Sequence, residues 1–151
     1  MFSRQETAAL TKEFWTSFGQ YMLPVPSARQ EKTSWINYKT GVKDIHFKME
    51  IDAAGAHIGI AITATDPRRR GELFQQLAHW RPVLESKTGE AWNWQAETQN
   101  AQQQAISRIG TTLANVHIYN KTDWPAIISF FKTRIIALDA FWEEVRPGFE
   151  G

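Results

Sequence analysis

Apolar residues recur at helical spacing near the start of the chain, and this pattern predicts a first helix with an aromatic face. Ser3 and Glu6 have the spacing of a capping box, in which each side chain accepts a hydrogen bond from the backbone N–H group of the other residue. The spacing therefore predicts that the helix begins there. The apolar positions that follow are Leu10, Phe14, Phe18 and Tyr21. They share one side of a helix, and we expect that side to be buried.

Two further stretches have the helical pattern. Asp66-Pro67 opens the second helix, because Asp is a favourable N-cap and Pro is tolerated in the first turn. Pro82 is expected to kink or end this helix, since its ring clashes with the carbonyl group four residues earlier. The third helix starts at Thr122 or Asp123 and stops at Pro147-Gly148.

Strict alternation of apolar and polar residues predicts strands, most clearly over residues 44–52. There the odd-numbered positions from Ile45 to Ile51 are apolar, and the even-numbered ones are polar or charged. Residues 53–55 form a turn, and residues 58–62 return with isoleucine at alternate positions. Four more short strands are expected at residues 35–39, 92–94, 105–109 and 116–119.

These elements predict an α+β fold in the order α-βββ-α-βββ-α. We expect a mostly antiparallel sheet of about six strands packed with three helices, because alternating strands bury one face only. The 151 residues suit one domain, 1–151, without an internal repeat.

Composition narrows the class of protein. Lys and Arg number 17 against 16 Asp and Glu, which argues against a strongly basic nucleic-acid binder but leaves room for a local basic patch. The chain has no cysteine, which excludes disulfides and suits a reducing compartment. Charged residues interrupt the first predicted helix, so we expect no apolar leader of the secretory type. No run approaches the roughly 20 apolar residues of a membrane span. We therefore expect a cytoplasmic protein.

Several long stretches carry a resemblance to a known family. They are Glu13-Phe14-Trp15-Thr16-Ser17-Phe18-Gly19, Trp35-Ile36-Asn37-Tyr38-Lys39-Thr40-Gly41, Tyr119-Asn120-Lys121-Thr122-Asp123-Trp124-Pro125, Ile128-Ser129-Phe130-Phe131-Lys132 and Arg134-Ile135-Ile136-Ala137-Leu138-Asp139. The whole chain resembles a bacterial family known as domain of unknown function number 4268. Members look like stand-alone proteins, or like modules that follow a domain similar to the PD-(D/E)XK nucleases. The resemblance thus implies work near nucleic acid, by association only.

The polar face of the first three strands is the main candidate site. We expect it to carry Trp35, Asn37, Lys39, His46, Lys48 and Glu50. In the expected register, Glu50 lies opposite Gly59, Lys48 opposite Ala61, and His46 opposite Thr63. Small residues in a strand suggest close approach of a ligand. An aromatic ring, an amide and cations suit a nucleotide or a nucleic-acid strand. The alternatives are an ordinary solvated face, or one covered by a helix.

Arg68, Arg69 and Arg70 fall in the first turn of the second helix, where the helix dipole disfavours positive charge. They could form a patch for a phosphate or an acid. The alternative is three solvated side chains whose charge is screened.

A nuclease is the alternative to a binding or adaptor domain, because the order of elements is also that of the PD-(D/E)XK core. Glu13, Glu50 and Asp52 would then hold Mg²⁺. However, residues 57–63, the strand that should supply the catalytic acid and lysine, contain neither. No cofactor or metal is expected otherwise, and convergence of His46, His57 and His117 on a metal is not enforced by their spacing.

The last helix has a wider apolar stripe than one sheet face requires. Phe130, Ile136 and Phe141 widen it, which suggests a homodimer seam. The expected partners are therefore nucleic acid, another protein or a second copy of the chain, with no membrane.

Overall fold

The computed structural model describes residues 2–149, which form an α+β fold. Its helices are α1 (Arg4–Met22), α2 (Pro67–His79), α3 (Arg81–Thr88) and α4 (Trp124–Val145). Its strands are β1 (Ile45–Asp52), β2 (Gly55–Ile62), β3 (Asn93–Gln99) and β4 (Ala105–Leu113). Short 3₁₀ turns at Lys121–Asp123 and Arg146–Gly148 flank α4. The class is as predicted, but within residues 2–149 there are four strands and four helices, not six and three.

The predicted helix starts are confirmed. Ser3 and Glu6 form a capping box, and the Asp66 side chain accepts a hydrogen bond from the Arg68 N–H group. Pro82 explains the additional helix, because it lies in the first turn of α3 directly after α2 ends. The second predicted helix is therefore two helices, α2 and α3.

Two predicted strands are loops. In residues 35–39, Trp35 is buried and Tyr38, three positions on, is half-buried, with ring centroids 6.2 Å from each other. Residues 116–119 bury Val116 and Ile118, but their backbone pairs with no strand; the Ile118 carbonyl instead accepts from the Trp124 indole at 2.9 Å. The prediction was wrong because two buried residues in a short segment do not distinguish a strand from an anchored loop.

The strands form one antiparallel sheet in the order β1-β2-β4-β3. In the first hairpin, Asp52 pairs with Gly55 across a two-residue turn. The Asp52 carboxylate accepts from the Ala54 N–H group at 2.8 Å, and Gly55 has a φ of +133°. Because the turn is tighter than predicted, the register differs by two residues: Lys48 faces Gly59, Glu50 faces His57, and His46 faces Ala61. The assignment of residues to the two faces is unchanged.

The core lies on one side of the sheet, between the strands and the helices. Its aromatic centre joins α1 to α4 through the rings of Phe14, Phe18 and Phe131. Phe130 and Phe141 are also buried within the single chain. The predicted homodimer seam depended on these side chains of α4. They pack inside the single chain instead.

A long connection, residues 23–44, is fixed to α4 by one buried carboxylate. Asp139 accepts from the Ala28 N–H group at 2.6 Å and from the Tyr38 hydroxyl at 2.5 Å. Burial, and then the hydrogen bond to Asp139, raise the pKa of Tyr38. The Trp142 indole adds a third tie by donating to the Thr40 carbonyl at 2.7 Å. The connection is thus ordered by polar contacts that no periodic pattern reveals.

Candidate functional site

The face of the sheet opposite the helices forms an open groove of about 1150 Å³. All four strands line it, together with Ala91, Thr63 and residues 100–102 and 104 of the turn between β3 and β4. Within residues 2–149, no helical residue contributes to the lining. Of the two alternatives, a solvated or a covered face, the structure therefore rules out a helical cover. We call this surface the sheet groove.

Small residues form the floor of the sheet groove. Gly59 of β2 and Gly110 of β4 are direct cross-strand partners, and Ala61 lies two positions along β2. A Cβ atom on Gly59 would lie 2.3 Å from the Ile109 carbonyl oxygen, so only glycine fits there. The floor of the groove therefore carries no long side chain, and longer side chains line the groove on either side of it.

The positive end of the sheet groove is built around Arg108. Arg108 faces Ala61 on one side and Gln95 of β3 on the other. It is half-buried, and its guanidinium makes no hydrogen bond or ion pair with any other residue in the range 2–149. Lys48 and His46 of β1 line the same groove. A partly buried arginine without a partner is suited to bind an anion, since its five N–H donors remain unsatisfied.

His46 adds a neutral imidazole to this end. Burial, and then the positive charge of Lys48, lower the pKa of His46, against the opposing effect of Asp44. The ring therefore carries no charge at neutral pH and offers a hydrogen-bond donor and an acceptor.

The other end of the sheet groove carries a clamp across three strands. The His57 Nε2–H group donates to the Asp52 carboxylate at 2.7 Å, and His57 Nδ1 lies 2.8 Å from the Thr112 hydroxyl. The hydrogen bond from His57 holds the pKa of Asp52 below its ordinary value. The Asp52 side chain is 60% exposed, so this chain of contacts ties the β1–β2 turn to β4 at the surface.

Side-chain amides form the edge of the groove along β3 and its turn. Asn93 and Gln95 line it from β3, and Gln102 and Gln104 line it from the turn. The Asn100 carboxamide fixes the turn by accepting from the N–H groups of Gln102 and Gln104 at 3.0 and 2.9 Å. These amides can donate to and accept from a polar ligand along its length.

Only part of the predicted binding set lies in the sheet groove. His46, Lys48 and Glu50 line it, whereas Trp35, Asn37 and Lys39 do not. Trp35 is 3% exposed and donates its indole N–H to the Val25 carbonyl, so it cannot stack on a ligand. The predicted binding set lacked four other contributors, namely Asn93, Gln95, Arg108 and Thr112, and it lacked His57, which the sequence offered only as a candidate metal ligand. Only the order of the strands, with β4 beside β2, brings them to this face.

The three arginines of α2 have three different environments. Arg68 is exposed and pairs with Glu72, and Arg69 pairs with Asp44 of the segment before β1. Arg70 is 4% exposed and donates to the Ala64 carbonyl at 2.8 Å. None of the three lines the sheet groove. Neither interpretation, a binding patch or three solvated side chains, describes all of them, because Arg70 is structural.

The predicted acids of the nuclease alternative are divided between two places. Glu50 and Asp52 line the sheet groove, but Glu13 on α1 is paired with Lys121 at 2.9 Å. Across residues 2–149, no group of three or more His, Asp or Glu side chains is placed to hold a metal ion. His117 does not line the groove that contains His46 and His57.

Comparison with known proteins adds a family and no named activity. In the part of the chain that the structure describes, no helix is both long and apolar enough to cross a membrane. No curated protein and no solved structure matches the chain. The family model of a domain of unknown function, DUF4268, matches residues 10–146. The chain therefore belongs to the DUF4268 family.

Proposed function

We propose that this protein is a binding domain that holds single-stranded nucleic acid in the sheet groove. The observation that carries the proposal is the half-buried Arg108, whose guanidinium has no partner among the described residues. A phosphate group offers two anionic oxygens that a planar guanidinium binds through a pair of parallel hydrogen bonds. Lys48, on the far side of the glycine floor, adds a second cation.

The shape of the groove favours a single strand. Gly59, Ala61 and Gly110 put no long side chain on the floor of the groove, which suits close approach of a sugar-phosphate backbone to the sheet. The amides of Asn93 and Gln95 provide hydrogen bonds to base edges or sugars on the β3 side. The association of the family with nuclease-like domains, which the resemblance implies, points to the same class of ligand.

The mode of binding differs from the stacking that the sequence predicted. Trp35 is buried elsewhere, and the lining of the sheet groove contains no Trp, Tyr or Phe among residues 2–149. Affinity would therefore come from phosphate contacts and amides, and it would depend strongly on salt and weakly on base sequence.

Fluorescence anisotropy with a labelled single-stranded oligonucleotide tests the proposal. We expect Arg108→Gln with Lys48→Gln to weaken binding at least about tenfold, because a hydrogen bond to a charged group contributes about 1.5–3 kcal/mol. The double variant should also reduce the slope of log affinity against log salt by about 1.4, the value for two phosphate contacts on a single strand.

Arg68→Gln with Arg69→Gln is the matched control. It also removes two positive charges, but at a surface outside the sheet groove. We expect it to change affinity by less than about threefold, because it acts only through screened, long-range charge. Equal losses in the two double variants would contradict the sheet groove as the binding site, and absence of binding by the wild type would contradict the function.

A metal-dependent nuclease of atypical form is the second proposal, and it uses the same groove. Glu50 and Asp52 project from alternate positions of β1 and could share a Mg²⁺ ion with phosphate oxygens of the substrate. Incubation of single-stranded and duplex DNA with Mg²⁺ tests it. Cleavage that Glu50→Ala abolishes would support a nuclease. A substrate that stays intact would contradict the nuclease and leave binding as the remaining proposal.

A further inference from the structure

The outer edge of β1 presents backbone groups that have no partner. The Thr63 N–H group donates to the Asp44 carbonyl at 2.9 Å, so these two residues form a hydrogen-bonded pair at the start of the β1–β2 ladder. Such pairs recur at every second residue, so the even-numbered residues of β1 bond to β2. The N–H and C=O groups of Phe47, Met49 and Ile51 consequently point outward. Within residues 2–149, nothing else bonds to them.

The two edges of the sheet differ in their ability to accept another strand. The pairing of β3 with β4 shifts register between Gln95 and Thr98, and such a bulge interrupts regular hydrogen bonding. The pairing of β1 with β2 is continuous from Ile45 to Asp52. A regular, uninterrupted edge of this kind is a template for strand addition.

We propose that the edge of β1 pairs with β1 of a second copy of this chain, antiparallel, about a two-fold axis that passes through Met49. This register joins Met49 to its own copy and Phe47 to Ile51 of the second copy, all through their outward backbone groups. It also places Lys48 opposite Glu50 of the second copy, and His46 opposite Asp52 of the second copy. By symmetry, the ion pair and the contact of the neutral His46 with Asp52 each occur twice.

Charge complementarity selects this register from its neighbours. Moving the axis by one residue, to Lys48 or to Glu50, preserves the pairing of outward groups. It also brings two lysines or two glutamates directly opposite each other, which destabilises an antiparallel pair. The axis at Met49 is the arrangement in which the charged side chains at the centre of β1 face opposite charges. Apolar contacts support it, because Met49 and Ile51 are only half-buried in the single chain.

The pairing would join two four-stranded sheets into one continuous sheet of eight strands, with the two sheet grooves on the same side. This seam is separate from α4, whose Phe130 and Phe141 are buried inside the chain. The inference does not depend on the nucleic-acid proposal, because it concerns the edge of the sheet and not the ligand.

Disulfide trapping without nucleic acid tests the register directly. The chain contains no cysteine, so Met49→Cys introduces a single thiol on the proposed axis. Its Cα atom would lie about 5.5 Å from that of its copy, within the range that a disulfide spans. Ile51→Cys is the matched control, because residue 51 would lie four positions from its own copy, roughly 14 Å along the strand. We expect a covalent dimer from the first variant and little from the second.

A charge exchange followed by light scattering provides the second arm. Lys48→Glu opposes Glu50 of the second copy with a like charge, and we expect dimer to be lost. Adding Glu50→Lys restores opposite charges, and we expect dimer to return. Circular dichroism checks that each variant remains folded. A wild type that stays monomeric at high concentration, equal cross-linking of the two cysteine variants, or no restoration by the double exchange would each overturn the proposal.

Discussion

Gly59 and Gly110 face each other across β2 and β4, at the middle of the open face of the sheet. Neither position has room for a side chain: a Cβ atom on Gly59 would lie 2.3 Å from the Ile109 carbonyl oxygen, and one on Gly110 would lie 2.9 Å from the Ile58 carbonyl oxygen. The close approach of these two strands creates the floor of the sheet groove. The floor is thus a property of the sheet itself and not of a flexible loop.

Gly59→Ala is expected to destabilise the protein although it adds one methyl group. The new atom would meet backbone atoms of β4, which cannot move without disturbing the ladder. Overpacking of this kind costs about 1–3 kcal/mol of unfolding free energy. Chemical denaturation measures the change. Gly71→Ala is the control, because a Cβ atom there has no neighbour within 4 Å, and we expect it to leave stability unchanged or slightly increased.

Asp139→Ala is expected to release the connection of residues 23–44 from α4. The Ala28 N–H group and the Tyr38 hydroxyl would lose their acceptor, at about 1–3 kcal/mol for each group left unpaired. Hydrogen exchange should then show faster exchange within the connection than within the sheet. Uniform protection in both segments would contradict the role of Asp139 as the tie.

The same contact predicts a loss of stability at alkaline pH. Burial and Asp139 raise the pKa of Tyr38 above the ordinary value of a tyrosine, so the folded state holds this proton more firmly than the unfolded state. The stabilisation is complete below about pH 10, the unfolded pKa, and decreases as pH rises through and beyond that value. Tyr38→Phe removes the titrating group, and its unfolding free energy should fall less steeply than that of the wild type above about pH 10.

The clamp at the other end of the sheet groove predicts a change at acid pH. The pKa of Asp52 is lowered mainly by its hydrogen bond to His57, so Asp52 stabilises the fold above its unfolded pKa and loses this effect as pH falls through the folded value. In His57→Gln, we expect the pKa of Asp52 to return toward its ordinary value. Carboxyl chemical shifts followed by NMR between about pH 2 and 6 measure it. An unchanged titration of Asp52 would show that His57 does not control it.

Arg70 and Arg68 are expected to respond differently to the same substitution. Arg70→Gln leaves the Ala64 carbonyl without its donor in a buried position, and we expect a loss of about 1–3 kcal/mol in unfolding free energy. Arg68→Gln removes an exposed partner of Glu72 and should change stability by less than about 0.5 kcal/mol. Thermal unfolding of the two variants side by side checks this difference.

The parts of the fold that follow local rules were predictable from sequence. The capping box at Ser3 and Glu6 and the break at Pro82 were correct, because each depends on a few neighbouring residues. The alternation in β1 correctly assigned His46, Lys48 and Glu50 to one face. The register was wrong by two, since turn length was inferred from composition and not from the Asp52–Ala54 hydrogen bond.

The parts that depend on distant contacts were not predictable. Residues 35–39 have the period of a strand, yet the segment never joins the sheet. The Trp35 indole donates to Val25 of the same connection, and the Tyr38 hydroxyl donates to Asp139 of α4. Arg108 carries no local signal, because its place beside Ala61 follows from the pairing of strands about 45 residues apart. The candidate site therefore depends on the order of the strands in the sheet. Trp35, the residue predicted to stack on a ligand, lies outside it.

An NMR titration with an unlabelled single-stranded oligonucleotide tests whether nucleic acid binds in the sheet groove. Glycine amides occupy a distinct region of the ¹H–¹⁵N spectrum, so Gly59 and Gly110 report on the floor of the sheet groove. If nucleic acid binds there, these two signals and that of Arg108 will shift together and saturate, and the amide signals of Arg68 and Arg69 in α2 will not shift. Shifts confined to α2, or none at all, would contradict binding in the sheet groove.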